Sequence, residues 1–332
     1  MALYNVNLMI RESRKAQGLT QEKLAEGICS RETIVKLEKG TRKPNWFVFK
    51  EILVRLGLDP EIYQGDIASE SDVSLLRYAQ EIIGLIGSRK FDEAKAKIDE
   101  IEAKKNTSSM WKSGLGHGLL LRMKASFYAS GALLDFPLIY KYLNPPLAVE
   151  YALEYIRITR PDFEIEKIPE YFLSMTEYQV LIILAKSYAM MTDSDKTISL
   201  WLNIKTNMEK NYLHSVVPLT FRNVTNQLYV DLQHNISLTL GELGRWEECL
   251  EIAEEGMTFA MQAQNMFSYE RFLNRKSTAL LKLNRLEESR ECMKKVLLIH
   301  FILDGNWGVN FADSKKYYEA GTGEKLDLSV SW

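Results

Sequence analysis

The stretch TLGELGRWEECLEIAEEGM (Thr239–Met257) returns forty residues later as ALLKLNRLEESRECMKKVL (Ala279–Leu297), so that Arg245-Trp246-Glu247-Glu248 falls on Arg285-Leu286-Glu287-Glu288. KSYAMMTDSDKTISLWLNI (Lys186–Ile204) fits the same helix–turn–helix template at an offset near 52, and EIIGLIGSRKFDEAKAKIDEI (Glu81–Ile101) fits it too. No other feature limits the possible folds as tightly. One such unit cannot bury its apolar face alone, so neighbouring copies stack and share a core. From about residue 73 to 303 the pattern is helical, and only 8 prolines in 332 residues suit long helices.

These copies resemble the tetratricopeptide repeat. The resemblance implies paired helices that cross closely, which requires small residues at fixed places. These are Ala185, Ser237 and Ser277 on the first helices, and Ala94, Thr197, Cys249 and Ser289 on the second. The tryptophan-leucine-glycine signature is missing, and the spacing exceeds the family's usual period of about 34. A stack of this kind is a right-handed helical solenoid with a concave face lined by first helices. The tail, residues 304–332, is aperiodic apart from one possible helix at 312–320.

A different pattern stands at the other end of the chain. LTQEKLAEGICSRETIVKLEKGTRKP (Leu19–Pro44) holds two short helices around a tight turn. A first helix over residues 4–17 carries Val6, Leu8 and Ile10 and ends at Gly18. Thr20 caps a second, running from Gln21 to about Gly27, and Ser30 caps a third that stops at Gly40. Asn45 caps a fourth, WFVFKEILVRLG, ending at Gly57. Leu24, Ala25 and Ile28 face inward from helix two, as do Ile34 and Leu37 from helix three. Arg31, Glu32, Thr33 and Lys36 are left pointing out, while Lys39, Arg42 and Lys43 flank the exit. A helix-turn-helix domain enters the major groove with the start of its second helix. Arg31 is the base-reading candidate, because a guanidinium can fork onto guanine O6 and N7. Glu32 can accept from cytosine N4 or steer Arg31. Gln21 sits where its amide and backbone N–H meet a phosphate.

This head resembles the lambda-repressor/Xre class through Arg14, Leu19-Thr20-Gln21, Leu24-Ala25, Ile34, Glu38, Gly40 and Pro44. That resemblance implies an internal ion pair between Arg14 and Glu38, which assigns both to structure rather than to DNA. The turn in LAEGICSRETI is one residue shorter than usual, and this form is similar to the peptide-pheromone regulators of the RRNPP family. Membership would imply a homodimer on a two-fold operator, with a repeat body that binds a short re-imported signalling peptide.

The charges agree with a division at residues 64–72, the polar, aperiodic QGDIASESD. Net charge is −2 over the chain, yet residues 1–63 hold 11 Lys and Arg against 8 Asp and Glu, with 31 against 36 in the remainder. A basic head on an acidic body can meet a polyanion. The expected organisation is a helix-turn-helix domain at 1–63, a linker at 64–72, a tetratricopeptide-like sensing and dimerisation domain at 73–303 and a tail at 304–332. The linker has little to transmit except position. The fold class is all-α.

Other chemistry finds no footing. Cys29, Cys249 and Cys292 lack CxxC spacing, so neither a disulfide frame nor a zinc site is suggested. Cys29, in the turn, reads as a packed small residue rather than a redox sensor. His117, His214, His234 and His300 are scattered, without HxxxH or HExxH. GLGHGLL (Gly114–Leu120) and GTGEK (Gly321–Lys325) fail the P-loop spacing, and the first reads as close helix packing or a turn. No cofactor, metal or catalytic role is expected. No apolar run approaches the roughly 20 residues that span a bilayer, and no signal peptide is visible, so a cytoplasmic protein with no membrane partner is expected.

Aligning the repeats places residues along the groove. One position gives Ile183, Asn235 and Arg275, and the position one turn earlier gives Gln179, Asp231 and Arg271. Asparagine is a poor helix-interior residue, and its amide can hold both the N–H and the C=O of an extended peptide. Peptide-binding members of the resembled families carry a ligand-holding asparagine at such a place. Arg271 and Arg275 could clamp a terminal carboxylate. Asn226, Arg222 and Lys186 lie near. The alternative leaves Asn235 solvated and pairs the arginines with Asp231 or Glu270, and the body would then be a dimerisation or interaction scaffold.

Overall fold

The structure, a computed structural model, describes residues 3–41, 44–60, 70–105, 107–129, 142–191, 194–213 and 222–304, with single positions between 316 and 325. All regular structure among these residues is helical. The expected linker falls mostly outside them, as does nearly all of the tail. The chain forms two compact units, residues 1–222 and 223–332.

The first unit opens with α1 (Leu3–Ala16), α2 (Gln21–Ala25), α3 (Arg31–Glu38) and α4 (Trp46–Arg55). The three expected caps are made. Thr20 Oγ1 accepts from Lys23 N–H at 3.0 Å, Ser30 Oγ from Thr33 N–H at 3.3 Å, and Asn45 Oδ1 from Val48 N–H at 3.0 Å. Val6, Ile10, Leu24, Ala25, Ile34 and Leu37 close over Trp46, Phe49, Ile52 and Leu53 in one core. Two expectations need correction. Leu8 is 45% exposed, because two residues along a helix turn the side chain about 200° away from Val6. Helix two ends at Ala25, so Ile28 packs on the core from the turn and not from a helix face.

Beyond the head, α5 (Glu70–Gly87) and α6 (Phe91–Lys104) form a helical hairpin, as do α9 (Met175–Met191) and α10 (Ser194–Met208). Between them lie a single turn at Ser109–Lys112, α7 (Gly114–Ala129), α8 (Pro145–Thr159) and a 3-10 turn at Ile165–Glu170. α8 packs on both α7 and α9. GLGHGLL opens α7, and a Cβ on Gly116 would stand 2.3 Å from the Met110 carbonyl oxygen, so this glycine serves close packing.

The second unit stacks α11 (Arg222–Glu242), α12 (Trp246–Gln262), α13 (Met266–Lys282) and α14 (Leu286–Asp304). Its small residues meet as the repeat requires. Cys249 Sγ donates to the Ser237 carbonyl at 3.2 Å, and forty residues on, Ser277 and Ser289 exchange hydroxyl-to-carbonyl bonds of 3.0 and 2.8 Å. Ala94, Ala185 and Thr197 are equally buried at the matching places in the first unit. The turns repeat as well. Arg89, Gly244 and Asn284 take left-handed φ of 61°, 71° and 60°. The basic residue that follows each one pairs with a glutamate three residues on, as Arg245 with Glu248 and Arg285 with Glu288, both at 2.6 Å. That is the physical content of the recurring Arg-x-Glu-Glu. The longer offset before this unit arises where α10 continues through a π turn at Glu209–Leu213 and α11 runs 21 residues against 17 in α13.

The head rests directly on the body within the first unit, a contact that the reading of the linker did not include. Arg55, 3% exposed, donates to the Leu24 and Glu26 carbonyls that end α2, and at 2.9 Å to the carbonyl of Phe172, whose ring lies 4.2 Å from its guanidinium. Glu26 accepts from Phe172 N–H at 2.8 Å and from Arg160 at 3.1 Å, and Arg160 in turn holds the fully buried Glu177 at 2.8 Å. Glu51 of α4 accepts from the backbone N–H groups of Met175 and Thr176 at 3.0 and 3.1 Å, and from the Thr176 hydroxyl. Gly27, at φ 69°, lies against this network. A Cβ there would sit 2.4 Å from Arg160 Nη2 and 2.5 Å from Glu177 Oε2. The short Gly-Ile-Cys-Ser turn is therefore also the surface on which the body sits.

Candidate functional site

Two helices joined by a turn present one exposed face. Ser30 starts α3 so that its first turn leads outward, and Ile34 and Leu37 anchor the opposite side in the core. On the outer face stand Arg31, 61% exposed, Glu32, Lys36 and Lys39, with Thr33 at the rim and bonded to Ser30. Arg42 and Lys43 lie outside the described residues. Arg31 Nε pairs with Glu22 of α2 at 2.5 Å, and Lys36 with Glu32 at 2.7 Å. Glu22 is a member of the site that the sequence did not signal, since residues 22 and 31 come together only when the two helices cross.

Behind this face, Arg14 spans Glu38 at 2.5 and 3.0 Å and the Leu19 carbonyl at 2.7 Å. The ion pair implied by the resemblance is thus made. Gln21 Nε2 joins it, donating to Glu38 at 2.9 Å, so the side-chain amide expected at a phosphate is engaged inside the head. Burial by itself would raise the Glu38 carboxyl. Hydrogen bonds from Arg14 and Gln21 and the Arg14 charge outweigh it and hold the group below its ordinary value. Cys29 is pushed up to about 11 by burial, which makes it a packed thiol and a poor nucleophile.

The groove candidates divide between the units. Gln179 and Lys186 lie half-buried on α9 in the first, where Gln179 accepts from Arg122 at 2.9 Å. In the second unit Asp231 and Asn235 on α11 and Arg271 and Arg275 on α13 form one cluster with His234. Arg271 hydrogen-bonds His234 Nε2, and its guanidinium lies 5.6 Å from the Phe267 ring. Burial pulls the Arg271 pKa down. The charges of Asp231 and Glu270 oppose that, while Arg275 adds to it. Arg275 Nε is buried without a hydrogen-bond partner. Neither arginine makes an ion pair with Asp231 or Glu270 among the described residues. Asn235 is 7% exposed and donates to the Asp231 carbonyl of its own helix at 2.6 Å, so it is not a solvated residue. Its side-chain donor is partly committed. Arg222 and Asn226 lie in α11 with side chains outside the described set. His234 and Phe267 are additions to the expected cluster. His234 sits one residue before Asn235, a place that counting metal-ligand spacings among histidines does not test.

Among the described residues there is no cluster of His, Cys, Asp and Glu that could hold a metal, and no helix is long and apolar enough to cross a membrane.

Comparison with known proteins bears on both ends of the chain. A helix-turn-helix family model matches residues 10–63. Over 50 residues the chain is 48% identical to an uncharacterised helix-turn-helix-type transcriptional regulator of Methanothermobacter thermautotrophicus, covering 15% of this chain and 72% of that protein. Across nearly the whole chain the fold is similar to Bacillus thuringiensis PlcR, solved in complex with the peptide PapR7 and DNA. The TM-score is 0.53 at 17% identity, over 96% of this chain and 99% of that one. The competence regulator ComR of Streptococcus vestibularis, in its apo form, aligns at TM-score 0.48 and 14% identity over 95% and 97% of the two chains. With α2 and α3 joined by a short turn, the internal Arg14–Glu38 pair and the matched helix-turn-helix segment, the chain belongs to the helix-turn-helix-type transcriptional regulators, which bind DNA.

Proposed function

We propose that this regulator is a peptide-responsive one, in which the repeat body binds a short signalling peptide and couples that event to the operator affinity of the head. A homodimer on a two-fold operator is the working form, because one head reads too few base pairs for useful specificity. The observation that carries the peptide reading is the pair of guanidiniums of Arg271 and Arg275, beside a His234 imidazole that accepts from Arg271. Two half-buried guanidiniums four residues apart on one helix, one of them with its charge disfavoured by burial and by its neighbour, suit a carboxylate arriving from outside. The fold likeness to PlcR, whose structure holds a peptide and DNA, supports the same reading. In it Arg271 and Arg275 take the terminal carboxylate and Asn235 the peptide backbone through its amide oxygen, with Asp231 one turn away on α11.

Calorimetry with a library of free-acid heptapeptides, and with the same library amidated at the C-terminus, tests this on the parent, Asn235→Ala and Arg275→Ala. Binding by the parent is expected to need the free acid and to weaken in both variants, with circular dichroism unchanged. Losing one charge-assisted hydrogen bond costs about 1.5–3 kcal/mol. Equal binding by parent and variants would remove the groove assignment.

A second reading, a body that serves as an interaction scaffold, draws on Met261, Met266 and Phe267, which are 61%, 49% and 64% exposed around the α12–α13 turn. Failure of every peptide to bind would favour it.

A further inference from the structure

We infer that Glu51 is a positioning residue for DNA reading: by capping the body helix α9 it fixes the angle at which the head is carried, and so the spacing of paired half-sites. This rests on the two-fold operator reading above.

The first N–H groups of a helix have no partner within it and are ordinarily capped by a nearby side chain of the same segment. α9 keeps such a local cap, Ser174 Oγ accepting from Glu177 N–H at 3.2 Å, and in addition the N–H groups of Met175 and Thr176 are taken by a carboxylate 124 and 125 residues away in the chain. A carboxylate also suits the positive end of the helix dipole. The remaining docking residues have double duties. Arg55 closes the end of α2 as well as holding Phe172, and Glu26 pairs with Lys23 as well as with Arg160. All the hydrogen bonds of Glu51 described above go to the body, so its removal loosens the seat, still held by Arg55 and Glu26, without touching the head's own core.

The docked face and the reading face are separate. Docking uses Glu51 and Arg55 of α4 and the turn after α2, with Gly27 bare enough for Arg160 and Glu177 to approach. Arg31 and Glu32 remain 61% and 72% exposed. The docked head is therefore free to read DNA, and what docking restricts is its orientation. A two-fold protein requires its half-sites at a set separation, because the two recognition helices must enter successive major grooves together. A head swivelling on a tether would read one half-site equally well but accept pairs at many separations.

The test uses the full chain and DNA that the parent selects from a random pool, together with its single half-site and versions with one or two base pairs inserted at the centre. In Glu51→Ala, amide exchange at Met175 and Thr176 should quicken by about five- to thirtyfold, the factor that loss of a helix cap carries. Its affinity for the single half-site should match the parent's, while its preference for the parental spacing falls by a comparable factor. Unchanged exchange, a retained spacing preference, or a parallel loss on the single half-site would each overturn the inference, the last because Glu51 would then serve only the fold. If Glu51→Ala does not fold by circular dichroism, Glu51→Gln decides, since it keeps the shape and one acceptor oxygen. Should the parent itself show no preference for paired half-sites, the two-fold reading falls first and is seen to fall before any variant is made.

Discussion

To read a base, as the proposed function requires, Arg31 would leave one partner and take another. Its pair with Glu22 joins two side chains that are each 61% exposed, and water screens so open a pair until little holds it. A forked contact to guanine is worth about 1–3 kcal/mol of discrimination, so the exchange favours DNA that offers a guanine. Arg31→Ala is therefore expected to lose sequence preference by about 1–3 kcal/mol. Arg42→Ala should weaken binding to all sequences alike and lower the salt slope by about 1. Footprinting and salt titration of the two variants separate these outcomes, and equal, sequence-blind losses would take Arg31 out of the reading role. The outward positions of Arg31, Glu32 and Lys36 were legible because Ile34 and Leu37 fix the helical phase. Glu22 as a partner, and the Gln21 amide turned inward to Glu38, were not legible. Both depend on how α2 crosses its neighbours, and local periodicity carries no information about that crossing.

Helix hairpins were the most legible elements, and the reason is steric. Ser237 with Cys249, and Ser277 with Ser289, are pairs twelve residues apart that must be small where two helices touch, so the constraint appears directly in the sequence. The helices α7 and α8 carry no such recurrence, and neither does the face that the head offers to the body. Both were found only in three dimensions. The same steric logic gives opposite expectations for two glycines inside helices. Alanine at Gly84 meets nothing within 4 Å, so Gly84→Ala should stabilise the chain by about 0.5–1 kcal/mol through helix propensity. At Gly256 the added Cβ would stand 2.3 Å from Phe272 Cε1, a ring that is fully buried in the core of the second unit. Gly256→Ala should destabilise by about 1–3 kcal/mol despite the better propensity. Urea unfolding followed by circular dichroism reads both. A midpoint for Gly256→Ala at or above the parent's would show that Phe272 has room to move.

Across the first unit, acid should undo what the carboxylates hold. Burial acts to raise Glu26, but bonds from Lys23, the Phe172 N–H and Arg160 bring it below its ordinary 4.5, and Glu38 is lowered in the same way. A carboxyl lowered in the folded chain contributes stability that is present above its unfolded pKa and is lost as pH falls through the folded one. Thermal unfolding should thus be insensitive to these groups from neutral pH down to about 5, then weaken steadily below about 4. A stability that held or rose on acidification would mean that Arg14, Arg160 and their partners contribute little. The bare backbone at Gly27 reaches further than stability. DNA-reading heads of this class look like interchangeable parts, to be cut from one regulator and joined to another at the linker. This head is not a free part: its turn is shaped by the body it rests on, with φ 69° and no space for a Cβ beside Arg160. A head with the longer, side-chain-bearing turn would keep its own DNA specificity after grafting and lose its seat. In this lineage the two domains are expected to have been inherited as a matched pair and not shuffled independently.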